Sequence, residues 1–332
     1  MKTNKEMRVF LLIAFGVPAV LGIFMWIARQ NGRDVNAFPL TWMFLPAAAA
    51  MAAKKRSETP EHPFPKAFLW TYLAATGLMI LLSVASAFAE SRMWAAGVNA
   101  VVVVGGVVCL AEILAMGKEK RSAAGLSFGK NIGKSLLGVL LFIGLYVLIL
   151  ALQVLFTMWI KGVSREEISQ TIAFDPNGFI TLMINLSVSY LAFFGEEYGW
   201  RYFLQPALQR KFGLKKGVLL LGVLWGLWHL PLNFLYYSPQ TGFFSLLTQV
   251  VACIGMGVFM GWLYGKTGNI WSVVLVHFLN NNIDFFLLGT SAEGVVLDIR
   301  DVLIYAIVYM AVFLPFLLTK EYRQNRSELM NA

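Results

Sequence analysis

Ten apolar runs follow one another along this chain, and only short polar loops separate them. A transmembrane helix needs about 20 mainly apolar residues, and most of these runs are close to that length. Only 14% of the 332 residues are charged, against about a quarter in a typical soluble domain. The sequence therefore predicts an all-α, polytopic transmembrane helix bundle of about ten spans. The predicted spans are Val9–Ala28, Phe38–Ala53, Ala67–Ala89, Ala95–Met116, Ser135–Ile160, Phe179–Gly195, Gly217–Tyr236, Phe243–Tyr264, Ile270–Leu288 and Val302–Thr319.

The basic residues predict how these spans are oriented, because loops rich in Lys and Arg stay on the cytoplasmic side. With the N-terminus inside, 21 Lys and Arg residues fall in cytoplasmic segments and 6 fall in outer segments. We therefore expect both termini to lie in the cytoplasm. The basic residues form no long tract, so the lipid bilayer is the expected partner of this surface and a nucleic acid is not.

A first cluster of ionisable groups follows the sixth predicted span, and such groups inside apolar segments are costly and usually functional. Glu197 and Arg201 are four residues apart, which places both on one face of a helix. The neighbouring Glu196 points about 100° away from that face. We expect Glu197 to pair with Arg201, which leaves the Glu196 carboxylate for another role. The alternative is an interfacial charge cluster at a helix end.

A histidine lies beside a proline in the seventh predicted span. Trp225, His229 and Asn233 fall on one helix face at four-residue steps. Pro231 cannot donate a backbone hydrogen bond, so we expect the helix to kink or end there. The kink would free a carbonyl group next to His229 and make room for water. The alternative is a buried histidine that only bonds a neighbouring helix.

The ninth predicted span carries a histidine and three consecutive asparagines, Asn280 to Asn282. His277 and Asn281 share one face, and Asp284 follows on nearly the same stripe. These side chains would be expensive to expose to lipid, so the stripe must face protein or a hydrated cavity. A purely structural hydrogen-bond network between helices is the alternative.

Together the three clusters supply a carboxylate, two imidazoles and an amide. Such groups can activate a water molecule and stabilise an oxyanion. Glu196, His229 and His277 could instead bind a divalent metal such as zinc, which would activate the water in their place. Both chemistries stay open at this point, and with them the question of whether a cofactor is needed.

In this order the three motifs resemble those of the CPBP intramembrane protease family, the C-a-a-X proteases and bacteriocin-processing enzymes. In this chain the motifs read Glu196-Glu197-x-x-x-Arg201, Trp225-x-x-x-His229 and His277-x-x-x-Asn281. The second motif of the family usually begins with Phe, and an aromatic packing role survives the change to Trp225. The resemblance covers roughly residues 180–285, about a third of the chain.

The resemblance implies a role for each motif residue. Glu196 would activate the attacking water, assisted by His229. His277 and Asn281 would polarise the scissile carbonyl or hold its oxyanion. The second glutamate and the arginine of the first motif would brace the site.

We therefore expect an intramembrane endopeptidase of a bacterial plasma membrane, with its active site opening toward the cytoplasm. Its expected substrate is a membrane-associated or lipidated peptide or protein. We divide the chain into N-terminal transmembrane helices of unknown role (1–178), a protease core (179–288) and a last helix with a cytoplasmic tail (289–332). A proton- or solute-coupled transporter and a non-catalytic membrane immunity or scaffold protein are the alternatives.

Overall fold

The fold was obtained as a computed structural model, which describes residues 4–55, 65–89, 93–171, 175–289 and 294–323. All regular secondary structure in these ranges is helical. The helices are α1 (Asn4–Gln30), α2 (Ala37–Lys55), α3 (Lys66–Ser86), α4 (Met93–Ala115), α5 (Lys118–Ala123), α6 (Ile132–Lys161), α7 (Arg165–Thr171), α8 (Gly178–Phe212), α9 (Leu214–Trp228), α10 (Leu230–Tyr237), α11 (Gly242–Thr267), α12 (Ile270–Leu288) and α13 (Ile299–Leu318). A short 3₁₀ turn, Lys320–Tyr322, follows α13.

Within the described ranges, seven helices are long and apolar enough to cross a membrane: α1, α3, α4, α6, α8, α11 and α13. The bent pair α9 and α10 raises the number to eight if it forms one span. Large apolar side chains such as Leu136, Leu140 and Val147 of α6 are exposed, as expected of a lipid-facing surface. The prediction of an all-α, multi-pass membrane protein is confirmed. The count of ten spans and their orientation stay predictions.

The chain forms two compact units, and each combines segments that are distant in sequence. The first unit contains residues 1–129, 185–203 and 269–274, and the second contains residues 130–184, 204–268 and 275–332. The first motif therefore belongs to the first unit, while the second and third motifs belong to the second unit.

The core of the first unit is aromatic. The Trp271 ring stacks on Phe194 with the centroids 5.4 Å apart, and on Phe128 at 4.7 Å. The Trp271 indole also donates a hydrogen bond to the Leu126 carbonyl. These contacts attach the short 269–274 segment to α8 and to the loop after α5, and they hold the part of α8 that carries the first motif.

The core of the second unit lies between α6, α11 and α13. The ring of Phe259 on α11 contacts Phe142 of α6 and Phe313 and Phe316 of α13, with centroid distances of 5.0–5.7 Å. Helix α9 packs closely against α11, which places the second motif beside this core.

The sixth predicted span ends at Gly195, but the helix that contains it continues. Helix α8 continues through Glu196 to Phe212, so Glu196 lies inside a 35-residue helix and not at its end. The charge of Arg201 does not interrupt this helix, because Arg201 is fully buried and is neutralised by Glu197.

Candidate active site

The first motif lies where α8 changes its winding. The helix is α-helical up to Glu197 and π-helical over Tyr198–Leu204, and single π-helical turns of this kind are frequent at functional sites. Gly195 and Gly199 face α2 on this stretch. A Cβ atom at either position would lie closer than 3 Å to α2 backbone atoms, those of Met43 and Pro46 respectively. The two glycines therefore allow α8 to approach α2 closely enough to bury the motif.

Glu197 and Arg201 form the pair that their spacing predicts. Arg201 Nη1 donates to Glu197 Oε1 at 3.1 Å, and Arg201 Nε lies 3.1 Å from Glu197 Oε2. Both side chains are 0% exposed. A buried pair of this kind restricts the orientation of both groups, and removing one partner would leave a buried charge uncompensated.

The Glu196 side chain points to different neighbours from those of Glu197. It is only 2% exposed, and its Oε2 accepts a hydrogen bond from Trp200 Nε1 at 3.3 Å. The Trp200 ring is held in turn by Phe10 and Phe15 of α1, with centroids about 6 Å away. Our sequence reasoning missed Trp200, although it lies four residues after Glu196 and the same spacing rule could have found it.

The second motif ends α9 at a sharp bend. His229 is the last residue before the bend, and α9 and α10 meet there at 41°. The break lies next to Pro231, as predicted. The His229 backbone N–H bonds to the Gly226 carbonyl, so the Trp225 carbonyl loses the donor that a regular α-helix would provide.

The imidazole of His229 takes the place of that missing donor. His229 Nδ1 lies 2.8 Å from the Trp225 carbonyl oxygen. Because a carbonyl only accepts hydrogen bonds, Nδ1 must carry the proton, and in the neutral ring Nε2 then carries the lone pair. The local backbone therefore selects the tautomer in which Nε2 can accept a proton or a hydrogen bond.

Buried polar groups hold the bent segment in place. Asn233, which is fully buried, donates from Nδ2 to the His229 carbonyl at 2.9 Å. The Ser245 hydroxyl of α11 donates to Asn233 Oδ1. This chain of hydrogen bonds links the backbone at His229 to α11 and restricts the direction of the imidazole.

Trp225 lies between the two histidines of the second unit. Its ring meets His277 edge-on at 5.4 Å and lies 6.2 Å from His229. Trp228, which sequence reasoning missed, meets His229 edge-on at 4.9 Å. His229 is 6% exposed and His277 is 3% exposed. The aromatic residue of the second motif thus sets the spacing of both histidines.

The third motif lies on α12. Asn281 Nδ2 is 3.4 Å from His277 Nε2, while Asn280 Nδ2 donates to Asn281 Oδ1 at 2.9 Å. An amide nitrogen only donates, so His277 Nε2 accepts and the proton of the neutral ring lies on Nδ1. Asn281 is exposed, and its amide has a second N–H that can point to another acceptor.

The comparison with protein-family models falls on this part of the chain. Residues 178–283 match the sequence model of a family described as type II CAAX prenyl endopeptidase, Rce1-like. A curated relative, CAAX prenyl protease 2 of Methanococcus maripaludis, is 34% identical over 92 residues. Residues 178–283 are therefore similar to the CAAX protease family. The resemblance to the CPBP proteases is thereby confirmed.

The Rce1-like domain includes every residue of the three motifs, from Glu196 to Asn281. The alignment with the curated relative covers 26% of this chain, and the chain spans about a third (34%) of the length of that relative.

The structure places the predicted site residues in two groups. Glu196, Glu197 and Arg201 come together in the first unit, and the two histidines, Trp225 and Asn281 come together in the second. That both groups act on one bond stays a prediction. In the described parts of the chain, no three His, Cys, Asp or Glu side chains are grouped so as to hold a metal ion. Metal binding by Glu196, His229 and His277 stays a prediction, because Glu196 lies in the first unit and the two histidines lie in the second.

Proposed function

We propose that this chain is an intramembrane endopeptidase that hydrolyses a peptide bond of a membrane-associated or lipidated substrate. The observation that carries the proposal is the match of residues 178–283 to the Rce1-like family, because that segment contains a buried carboxylate, two buried imidazoles and an amide. A transporter or a scaffold protein would not need these four groups in the order of a protease family.

Glu196 is the general base in this proposal. It removes one proton from a water molecule while the water oxygen attacks the carbonyl carbon of the scissile bond. The hydrogen bond from Trp200 occupies Oε2 and so orients the carboxylate. His229 Nε2, which carries the lone pair of its ring, accepts a hydrogen bond from the same water and helps to position it.

The attack turns the carbonyl oxygen into an oxyanion, which needs preorganised donors. The second N–H of Asn281 and the Nδ1–H of His277 are the donors that we assign to it. When the tetrahedral intermediate collapses, the C–N bond breaks and Glu196 passes its proton to the leaving nitrogen. The products are a peptide with a new carboxyl group and a peptide with a new amine, and the Glu196 carboxylate is regenerated.

The buried pair of Glu197 and Arg201 supports Glu196 without touching the substrate. It fixes α8 at the position next to Glu196 and supplies the only fully buried ion pair that the described residues form. We assign the protease core to residues 179–288, with the preceding helices as accessory elements.

The location of the site follows from the charge distribution. With the predicted orientation, substrate reaches it from the cytoplasmic side or laterally from the bilayer of a bacterial plasma membrane. The name of the archaeal relative refers to prenylated C-a-a-X proteins, so peptides with a lipid anchor near the cleaved bond are the first substrates to test.

The experiment uses purified full-length chain in liposomes with a library of lipidated and transmembrane peptides, and mass spectrometry detects the new termini. Glu196→Gln keeps the size of the side chain and an acceptor for Trp200, so it should fold normally and lose cleavage by about 10²–10⁴-fold. Glu119→Gln, an exposed glutamate on α5, is the matched control and should cleave like the wild type. Full cleavage by Glu196→Gln would refute the mechanism, and transport of a solute without cleavage would refute the function.

A further inference from the structure

A cavity lies in the second unit, and none of its lining residues belongs to the three motifs. Its volume is about 490 Å³, and three lysines, Lys134, Lys266 and Lys320, contribute to its wall together with Glu321 and Gln205. The proposed protease mechanism uses none of these side chains. The cavity therefore requires an explanation of its own.

The three lysines mark the ends of three membrane-spanning helices. Lys134 lies in the first turn of α6, Lys266 in the last turn of α11, and Lys320 two residues beyond the end of α13. Since all three spans end at this cavity, it lies at the level of the lipid headgroups. The predicted orientation places this level on the cytoplasmic face, where anionic lipids attract basic residues.

The charge of the cavity is positive. Glu321 accepts a hydrogen bond from Trp262 Nε1 at 3.1 Å, and one of its oxygens lies 4.0 Å from Lys266 Nζ. Lys134 and Lys320 form no ion pair with any residue whose position is described. One anionic group of a ligand would therefore find two available ammonium groups.

The floor of the cavity holds an acceptor that no residue satisfies. Gln205 is 3% exposed, and its Oε1 has no hydrogen-bond donor within the described part of the chain. Gln205 Nε2 donates to the Gly261 carbonyl at 3.4 Å. Because a carbonyl only accepts hydrogen bonds, the amide nitrogen must face Gly261, and Oε1 is the amide atom without a donor in this part of the structure. A Cβ atom on Gly261 would lie 2.6 Å from Tyr322 Oη and 3.1 Å from Gln205 Oε1, so a larger residue would crowd this acceptor.

Two ammonium groups at the rim and a buried acceptor on the floor define the ligand chemically. It must carry an anionic group for the lysines and a hydrogen-bond donor, such as a hydroxyl group, for Gln205 Oε1. We propose that this cavity binds a glycerophosphate group, and that its source is the headgroup of an anionic phospholipid. Basic pockets between transmembrane helices on the cytoplasmic side recognise lipid headgroups in this way.

The test measures the Tm of the full-length chain in neutral detergent against the concentration of added lipid, because a ligand that binds only the folded state raises Tm. Dioleoylphosphatidylglycerol has both the phosphate and the hydroxyl donors. Dioleoylphosphatidylmethanol has the same charge but no hydroxyl group, and phosphatidylcholine has no net charge. Glycerol 3-phosphate is the soluble arm, which separates a lipid from a free phosphate as the source.

The double variant Lys134→Gln/Lys320→Gln should raise the half-saturating phosphatidylglycerol concentration by about 25-fold, at about fivefold for each lysine near an anionic surface. Lys215→Gln/Lys216→Gln is the matched control, because it removes the same charge from exposed lysines outside the cavity. The control should change the half-saturating concentration less than about twofold, since exposed charges outside a site are largely screened.

Gln205→Met tests the floor of the cavity separately. The wild type should prefer phosphatidylglycerol over phosphatidylmethanol by about fivefold, the contribution of one hydrogen bond, and Gln205→Met should remove this preference. Equal protection by glycerol 3-phosphate, with the same sensitivity to the lysine variants, would support the site and assign it to a soluble phosphate. The proposal would be overturned if the Lys215→Gln/Lys216→Gln control lost as much affinity as the cavity variant. It would also be overturned if neither phosphatidylglycerol, phosphatidylmethanol nor glycerol 3-phosphate raised Tm.

Discussion

The buried pair of Glu197 and Arg201 allows a quantitative test of how the first motif is held. Both side chains are 0% exposed, and two contacts of 3.1 Å join them. Removing one partner of such a pair typically costs about 3–5 kcal/mol, because the other charge stays buried without compensation.

We therefore expect Arg201→Met to lower the unfolding free energy by about 4 kcal/mol and Tm by on the order of 10 °C. The double variant Glu197→Met/Arg201→Met should recover to within about 1–2 kcal/mol of the wild type, because apolar side chains of similar volume can replace a buried pair. Thermal unfolding in detergent micelles, followed by intrinsic tryptophan fluorescence, measures all three proteins.

Lys161→Met is the matched control for this prediction. It breaks the ion pair between Lys161 and Asp301, whose side chains are 21% and 15% exposed, and it should cost about 1 kcal/mol because water screens the remaining charge. If Arg201→Met is as stable as the wild type, or if the double variant is less stable than Arg201→Met, the reasoning about the buried pair is wrong.

Two further substitutions test the packing around the motifs, with Tm and kcat/KM as the measurements. Trp225→Ala should lower the free energy of unfolding by about 3–5 kcal/mol and reduce kcat/KM. Trp225→Phe keeps an aromatic ring near both histidines and should retain kcat/KM within about tenfold. Equal kcat/KM in the two variants would exclude a spacing role for the ring. Gly199→Ala should lower the free energy of unfolding by about 1–3 kcal/mol, because its Cβ would clash with Pro46 of α2. The control Gly144→Ala has no atom within 4 Å of the new Cβ, so it should be neutral or stabilising by up to about 1 kcal/mol. A Gly199→Ala protein as stable as the wild type would contradict the close approach of α8 to α2.

Local spacing predicted the parts of the site that depend on one helix. The pairing of Glu197 with Arg201, the break at Pro231 and the shared face of His277 and Asn281 are all present. Each follows from the 3.6-residue repeat of a helix or from the missing N–H of proline, so neighbours in sequence were sufficient to find them.

The features that the sequence did not reveal depend on contacts between distant segments. The continuation of α8 beyond Gly195 needs the close approach of α2 at two glycines, and a hydropathy pattern contains no information on that approach. The attachment of Trp271 to Phe128 is likewise a contact between distant segments. The cavity at the ends of α6, α11 and α13 joins residues from 134 to 322, which no local motif connects.

The central claim is that Glu196 and the histidines act on the same peptide bond. Groups that each contact the reacting atoms at about 3 Å must lie within about 9 Å of one another. In a background where the two buried cysteines, Cys109 and Cys253, are replaced by alanine, Glu196→Cys and His277→Cys can be joined with thiol cross-linkers of increasing length. The exposed Ser164→Cys replaces the histidine position in the control.

The account predicts efficient cross-linking of the Glu196→Cys/His277→Cys protein by linkers of about 9 Å or shorter, with the substrate peptide protecting both thiols, and none in the Ser164→Cys control. If positions 196 and 277 of a correctly folded protein are not cross-linked at that length, the claim of a single hydrolytic centre is contradicted.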